Sequence, residues 1–221
     1  LEAGNQRIIR EIEIAGETTA FEMISGERPR RLSADPTYDA MRLLSASEIP
    51  PAVNNIKGAT SVQIVLSDQL HPDLKKAGET LALSLGLKSY QFIPESEVQL
   101  NQLIEKDILL IGRPAQKNLL QKMPDQVSLQ PGSFTLNNAL YNKPSDAFFG
   151  VFHHPFNDDR IAALFIPPSN RLADTVARKI THYGKYSYLA FQSGNNKAKG
   201  VWPVEKSPLV YEWDQKSENI K

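Results

Sequence analysis

A nearly unbroken apolar run, DILLIG at residues 107–112, most restricts what this chain can fold into. Such a run is typical of a strand that is covered on both faces, as in parallel sheets. Two further strands are predicted before it, SVQIVLS at 61–67 and SYQFIP at 89–94. The segments between the three strands have helical spacing, so we expect a parallel sheet with right-handed crossover connections.

Two helices are predicted between these strands. The first follows His71 and ends at Gly86, and its leucines recur at helical spacing. The second is EVQLNQLIE, and Ser96 with Gln99 three residues later is typical of a capping box at its start. The alternation of strands and helices predicts the α/β class: a three-layer α/β/α domain with a mixed, mainly parallel sheet of the Rossmann or flavodoxin-like type.

The second half of the chain is less regular. VSLQPGSFTLNNALYN at 127–142 predicts short strands, with a turn at Asn137 and Asn138. The apolar segments 147–155 and 161–168 flank a short polar turn, which predicts an antiparallel hairpin. The remaining predicted elements are a helix over 171–184, capped by Asn170, and a last strand over 187–194.

The first 48 residues differ in character from the rest. RIIREIEI at 7–14 and TTAFEMI at 18–24 alternate on either side of Gly16, which predicts a β-hairpin. An isolated hairpin is marginal in water, so we expect this one to be a remnant of a larger sheet. The predicted organisation is therefore a hairpin segment over 1–48, a linker over 49–59, the α/β domain over 60–205 and a polar tail over 206–221.

Composition limits the function classes. The 25 basic and 25 acidic residues give a formal net charge of zero, which argues against a nucleic-acid partner. Cysteine is absent, which excludes disulfides and thiolate chemistry. No apolar run approaches the roughly 20 residues of a membrane-spanning helix. The chain opens with LEAGNQ rather than methionine, from which we expect a fragment of a longer protein, with its localisation left open.

The nearest approach to a phosphate loop is IGRPAQKN at 111–118. It follows a strand, is expected to open a helix, and carries basic side chains, so it predicts an anion or ligand contact through Gly112, Arg113 and Asn118. Because a single glycine is a weak fingerprint, a plain strand-to-helix turn is the competing interpretation.

No catalytic or metal signature is present. The four histidines lack the spacing of metal ligands, and the adjacent His153 and His154 would point to opposite faces of a strand. Ser193 is not preceded by the glycine of a nucleophile elbow. A hydrolase using His154, Asp158 and Ser193 is therefore the least favoured hypothesis.

The stretch from 179 to 206 is locally basic, with five lysines, one glutamate and interleaved aromatic residues. This pattern predicts a protein interface through Tyr183, Lys185, Tyr186 and Trp202. The alternative is a solvated helix end followed by aromatic residues of the core.

Four stretches together suggest a family. RPRRLSADPTYDAMRLLSASEIPP at 28–51 resembles the closing segment of the immunoglobulin-like β-domain in bacterial relatives of the membrane alanyl aminopeptidases, which are gluzincin zinc metallopeptidases. The matching residues are Arg30, Arg31, Leu32, Asp35, Pro36 and Tyr38. Residues 109–118, 148–169 and 177–203 resemble an α/β domain appended to the C-terminus of some of those proteins.

The resemblance implies an accessory region that acts in domain packing, substrate access or partner contact. The family's H-E-x-x-H helix and G-x-M-E-N strand are both absent, so no catalytic or zinc-binding residue is carried over, and zinc is expected only in the catalytic domain of a parent protein. The implied partners are the other domains of that parent, with a protein or peptide as a further partner, and the implied localisation is export from a bacterial cell. A small-ligand module remains the alternative function.

Overall fold

The computed structural model describes residues 1–69, 71, 75–168, 171–204 and 206–213. The chain forms two compact units. Unit 1 comprises Leu1–Ile49 together with the segment that begins at Val204, and unit 2 comprises Pro50–Pro203. Among the described residues, no helix is long and apolar enough to cross a bilayer.

The described part of the chain contains fourteen strands and four short α-helices, numbered here along the sequence. The strands are β1 (Glu2–Ala3), β2 (Gln6–Arg7), β3 (Pro29–Ser33), β4 (Val62–Leu66), β5 (Tyr90–Pro94), β6 (Asp107–Ile111), β7 (Val127–Gln130), β8 (Ser133–Leu136), β9 (Ala139–Tyr141), β10 (Asp146–His153), β11 (Ile161–Ile166), β12 (Tyr188–Gln192), β13 (Asn195–Gly200) and β14 (Val210–Glu212). The helices are α1 (Val53–Ile56), α2 (Lys75–Ser84), α3 (Leu100–Leu103) and α4 (Ala173–Ile180).

A seven-stranded sheet in the order β13-β12-β10-β11-β6-β4-β5 forms the centre of unit 2. Strands β5, β4, β6 and β11 pair in parallel, and β11, β10, β12 and β13 pair antiparallel. The predicted parallel strands and the predicted β10–β11 hairpin are therefore confirmed. The sheet is not mainly parallel, because three of its six pairings are antiparallel.

The three-layer α/β/α prediction is wrong. One face of the sheet packs against α2 and α4, with Phe149, Phe165 and Phe191 fully buried in that core. The other face is covered by the antiparallel sheet β7-β8-β9, together with Leu103 of the single-turn helix α3 and Leu119 of a 3-10 turn, and not by a second layer of long helices. The molecule is thus mainly β, with sheets of four, seven and three strands, because the segment between β6 and β10 forms a meander of its own.

The meander has the turn that its sequence predicts. Asn137 and Asn138 have φ values of +49° and +66°, as a two-residue type I′ turn requires, and they connect β8 to β9. Asparagine tolerates this left-handed conformation better than other residues with a side chain. The rings of Phe134 and Tyr141 stack across the pair with centroids 4.6 Å apart, which joins the meander to the core over β10.

Several other expectations differ from the structure. The predicted capping box is wrong, because Ser96 donates from its hydroxyl to Asp68 and the N-cap of α3 is Gln99. Residues 49–59, predicted as a linker, contain α1, whose Val53 and Ile56 are buried. Asn170, the predicted cap of α4, lies outside the described residues.

Unit 1 contains the sheet β14-β3-β1-β2. The predicted hairpin over 7–14 and 18–24 is wrong, since the only part of it in a strand is Arg7, in β2. The Arg10 side chain does donate to the carbonyl of Glu22, so the two arms lie side by side without a ladder of backbone hydrogen bonds. Within the predicted polar tail, β14 pairs with β3, which places this segment in unit 1.

Candidate ligand-binding site

A cavity of about 350 Å³ lies in unit 2 at the carboxyl ends of β4, β6 and β11. Ser67, Gly112 and Pro167, each just beyond the end of one of these strands, form part of its wall. After β4 the chain places β5 on one side and β6 on the other, so the order of the strands reverses here. Ligands collect outside the carboxyl ends of parallel strands at such a point, and the volume suits a small molecule.

Local hydrogen bonds fix the wall of the cavity. Gly112 has a φ of +83°, which lets the chain turn sharply as β6 ends, and its N–H donates to the carbonyl of Phe165 at 2.8 Å. The Ser67 hydroxyl donates to the carbonyl of Arg113 at 2.5 Å. Because these bonds join the ends of β4, β6 and β11, the wall is preformed.

Two cationic residues line the cavity, Arg113 and Lys143. Within the part of the chain that the structure describes, neither side chain forms an ion pair with a carboxylate. His71 also lines the cavity. These groups favour an anion.

Asp146 is the acidic residue of the cavity and is only 6% exposed. Its Oδ2 accepts a hydrogen bond of 3.0 Å from the backbone N–H of Lys143, whereas its Oδ1 is buried and has no hydrogen-bond partner among the described residues. Burial, and secondly the negative charge of Asp146, raise the pKa of Tyr141 above its usual value. Tyr141 therefore presents a neutral phenol near this carboxylate.

The structure places two of the three predicted anion contacts at the cavity. Gly112 and Arg113 line it, whereas Asn118 does not and lies instead in a 3-10 turn over Lys117–Leu120. The loop leads into this single 3-10 turn and not into an α-helix, and the N–H of Gly112 already has an acceptor. The groups available to an anion are thus side chains instead of the N–H groups of a helix N-terminus.

Sequence reasoning missed Tyr141, Lys143 and Asp146. Asp146 enters the cavity because β10 runs antiparallel to β11, so that the start of β10 lies beside the carboxyl end of β11. Tyr141 ends β9 and Lys143 lies in the connection from β9 to β10, so both arrive with the meander that precedes β10. The sequence signal was present, since an acidic residue directly precedes a buried strand. Only the order of the strands shows that this residue shares the cavity with Arg113.

The structure does not bring together the residues of the hydrolase hypothesis. Ser193 lies beside Ser145, before the start of β10, and His154 follows the end of that strand. At about 3.3 Å per residue they are roughly 30 Å apart. Asp158 pairs with Lys122.

His154 is a satisfied core residue. It is fully buried, accepts a hydrogen bond of 3.0 Å at Nδ1 from the N–H of Phe156, and donates from Nε2 to the carbonyl of Leu103 at 3.1 Å. Burial lowers its pKa below the usual 6.5, so it stays neutral. Among the described residues, no group of three or more histidine or acidic side chains could hold a metal ion.

Three of the four predicted interface residues cluster. The rings of Tyr183 and Tyr186 lie 6.2 Å apart, the ammonium group of Lys185 lies 5.5 Å from the centre of the Tyr186 ring, and Lys199 lies over both rings. Trp202 is only 5% exposed and packs in the core on the opposite face of the sheet. Tyr183 and Tyr186 are partly buried against the core and Lys185 is exposed, and the interface role of this cluster stays a prediction.

No protein-family model matches this sequence, and no curated protein matches it.

Proposed function

We propose that the chain is a noncatalytic accessory region of a zinc aminopeptidase-like protein, in which unit 1 packs against another domain of the same protein. One observation carries this proposal: among the described residues of unit 1, Ala3 is the only buried apolar residue. Large apolar side chains of this unit are exposed instead, namely Ile9, Ile14, Phe21, Ile24, Met41, Leu43, Ile49 and Tyr211.

This distribution of apolar residues is unusual for a segment that folds by itself. Small domains need a hydrophobic core, because burial of apolar surface is the main term that offsets the lost conformational entropy. Burying one large apolar side chain contributes about 1.5–3 kcal/mol. A set of such side chains on one unit is typical of a surface that another protein segment covers.

The resemblance of residues 28–51 supports a particular partner. These residues are similar to the closing segment of an immunoglobulin-like β-domain. The remaining strands of that domain would therefore bury the exposed apolar side chains of unit 1. The exposed apolar side chains of residues 8–28, among them Ile14 and Phe21, would then join the core of that domain. No cofactor and no nucleic-acid partner is proposed for the chain itself.

The test mixes the chain with the separately produced remainder of the parent protein and measures binding by calorimetry. We expect Ile14→Asp and Phe21→Asp to abolish binding. The matched controls Leu83→Asp and Leu140→Asp also replace exposed large apolar side chains, at 71% and 58% exposure, but these lie in unit 2, so both variants should bind normally. Absence of binding by the unsubstituted chain, or equal loss in all four variants, would contradict the proposal.

The role of the region in catalysis is tested in the parent protein. Its peptidase activity is measured with and without Pro50–Pro203, the residues of unit 2, on peptides of increasing length. Loss on long peptides alone would support a role in substrate access, uniform loss would support packing, and unchanged activity would support partner contact.

A second function is favoured by the cavity of unit 2. We propose that it binds a small anion, because Arg113 and Lys143 line it without a carboxylate partner among the described residues. Amide chemical shifts of Gly112 and Arg113 should move on titration with inorganic phosphate or 3-phenylpropanoate. Arg113→Gln should weaken the effect, whereas Arg178→Gln, on an exposed face of α4, should not. A flat response at Gly112 and Arg113 would remove this function.

A further inference from the structure

The cavity of unit 2 has a second recognition element besides its cations. We propose that it binds a small apolar carboxylate that also carries a hydrogen-bond donor, an amine or a hydroxyl group, and that Asp146 accepts a hydrogen bond from this donor. The inference rests on the proposed anion-binding function of unit 2 and names the class of ligand.

The anionic end of the ligand is recognised by Arg113 and Lys143. A guanidinium group presents two parallel N–H donors that match the two oxygens of a carboxylate. Lys143 and Asp146 are already connected, since the backbone N–H of Lys143 donates to Oδ2 of Asp146 at 3.0 Å. Arg113, Lys143 and Asp146 all line the same cavity, so a carboxylate held by the two cations would share it with the Asp146 side chain.

The donor of the ligand follows from Asp146 itself. Burying a carboxylate oxygen without a hydrogen bond is costly, and such oxygens are rare in folded proteins. Oδ1 of Asp146 is such an oxygen, since it is buried and has no hydrogen-bond partner among the described residues. Asp146 itself lines the cavity and is 6% exposed. A ligand bearing only an anion would place a second negative charge beside Asp146. A ligand that adds an amine or hydroxyl group supplies the missing donor and removes this penalty.

The apolar part of the ligand follows from the remaining wall. Phe134, Tyr141, Leu129 and Ile166 all line the cavity. The stacked pair of Phe134 and Tyr141 is rigid, because both residues are buried in the core that lies over β10. A cavity of about 350 Å³ with this wall suits one ring or one branched aliphatic group.

Four matched compounds test the inference with the whole chain. Phenylalanine, 3-phenyllactate and 3-phenylpropanoate share a ring and a carboxylate and carry an amine, a hydroxyl group and no donor, respectively, whereas phenethylamine lacks the carboxylate. Binding is measured from the amide shifts of Gly112 and by calorimetry. We expect phenylalanine or 3-phenyllactate to bind at least about tenfold more tightly than 3-phenylpropanoate, since a hydrogen bond to a charged group contributes that much. Whichever of the two binds more tightly identifies the donor as amine or hydroxyl.

Substitutions assign the effect to residues. In Asp146→Asn, the ligands with a donor should bind at most about threefold more tightly than 3-phenylpropanoate, because a neutral amide accepts a weaker hydrogen bond. The control Asp159→Asn, at an exposed turn residue, should keep the full difference of the unsubstituted chain. Equal loss for ligands with and without a donor in Asp146→Asn would overturn the role of Asp146.

The outcomes separate this inference from the function on which it rests. If 3-phenylpropanoate binds and the donor adds nothing in the unsubstituted chain, the inference is wrong and the anion-binding function stands. If phenethylamine binds as tightly as phenylalanine, the carboxylate is not recognised and the inference is wrong. If neither phosphate nor any carboxylate shifts Gly112, both proposals fall.

Discussion

The hydroxyl group of Ser207 donates a hydrogen bond of 2.6 Å to Oε1 of Glu48, although 159 residues separate the two in the sequence. Glu48 is the centre of a small network in unit 1. Its carboxylate accepts two hydrogen bonds from the Arg42 guanidinium group, at 2.9 and 2.8 Å, and one from the N–H of Ser45. These hydrogen bonds, above all those from Arg42, hold the pKa of Glu48 well below its usual range. In a unit with so few buried apolar residues, this network fixes the segment that contains β14.

Replacing Glu48 with glutamine should loosen this segment. The amide NH₂ of glutamine would face the N–H groups of Arg42, so at least one of the paired hydrogen bonds is lost. We expect faster amide hydrogen exchange in β14, which Ser207 anchors through Glu48. Glu17→Gln, at an exposed position, is the control and should exchange at the normal rate. Unchanged exchange of β14 in Glu48→Gln would show that the pairing of β14 with β3 suffices.

Gly150→Ala should destabilise unit 2. A Cβ at this position would lie 2.7 Å from Cζ of Phe148, so this buried core ring would have to shift, whereas Cζ2 of Trp202, at 3.4 Å, would be in ordinary contact. Overpacking of this kind costs about 1–3 kcal/mol of unfolding free energy. Urea unfolding measures the loss. Gly26→Ala is the matched control, because a Cβ there meets nothing within 4 Å, and its effect should stay within about 0.5 kcal/mol.

Local patterns predicted most strands but not how they assemble. The run 107–112 and the Asn137–Asn138 turn are both found where the sequence places them. The sequence did not predict β13, because NNKAKG is polar. This strand forms because the turn at Ser193 and Gly194 brings the chain back alongside β12. The predicted second layer of helices failed because short strand patterns do not show which face of a sheet they will cover.

For the same reason, only part of the candidate site could be predicted from the sequence. Gly112 and Arg113 directly follow an obvious buried strand, so the rule for parallel sheets finds them. Asp146 is brought there by the antiparallel pairing between β10 and β11, which no local pattern fixes. Tyr141 arrives at the end of β9, with the meander. The hairpin predicted in the first 24 residues failed differently. Its alternation is real, but within the described chain nothing buries Ile14 or Phe21.

His154 should make the stability of unit 2 depend on pH. Its pKa is lowered in the folded protein, whereas the unfolded chain has the usual value of 6.5. As the pH falls below about 6.5, His154 binds a proton in the unfolded state but not in the folded state, so the unfolding free energy decreases. We expect a lower urea midpoint at pH 5.5 than at pH 7.5.

The variant His154→Gln separates this effect from other titrations. A glutamine amide could accept from Phe156 and donate to Leu103 without titrating. The difference in urea midpoint between the two pH values should therefore be smaller in His154→Gln than in the unsubstituted chain. An identical difference would mean that carboxylates elsewhere cause the pH dependence.

Trp202→Phe distinguishes a core residue from an interface residue. The indole N–H of Trp202 donates a hydrogen bond of 2.6 Å to the carbonyl of Val151, just past the last pair of β10 with β12, Gly150 with Tyr188. Phenylalanine keeps a ring beside Tyr188 but leaves this buried carbonyl without its donor, which costs about 1–3 kcal/mol. Urea unfolding followed by circular dichroism should show this loss, whereas Trp213→Phe in unit 1 should leave unit 2 unaffected. If Trp202→Phe instead unfolds like the unsubstituted chain and weakens binding of the parent protein, Trp202 belongs to an interface, as its sequence context predicts.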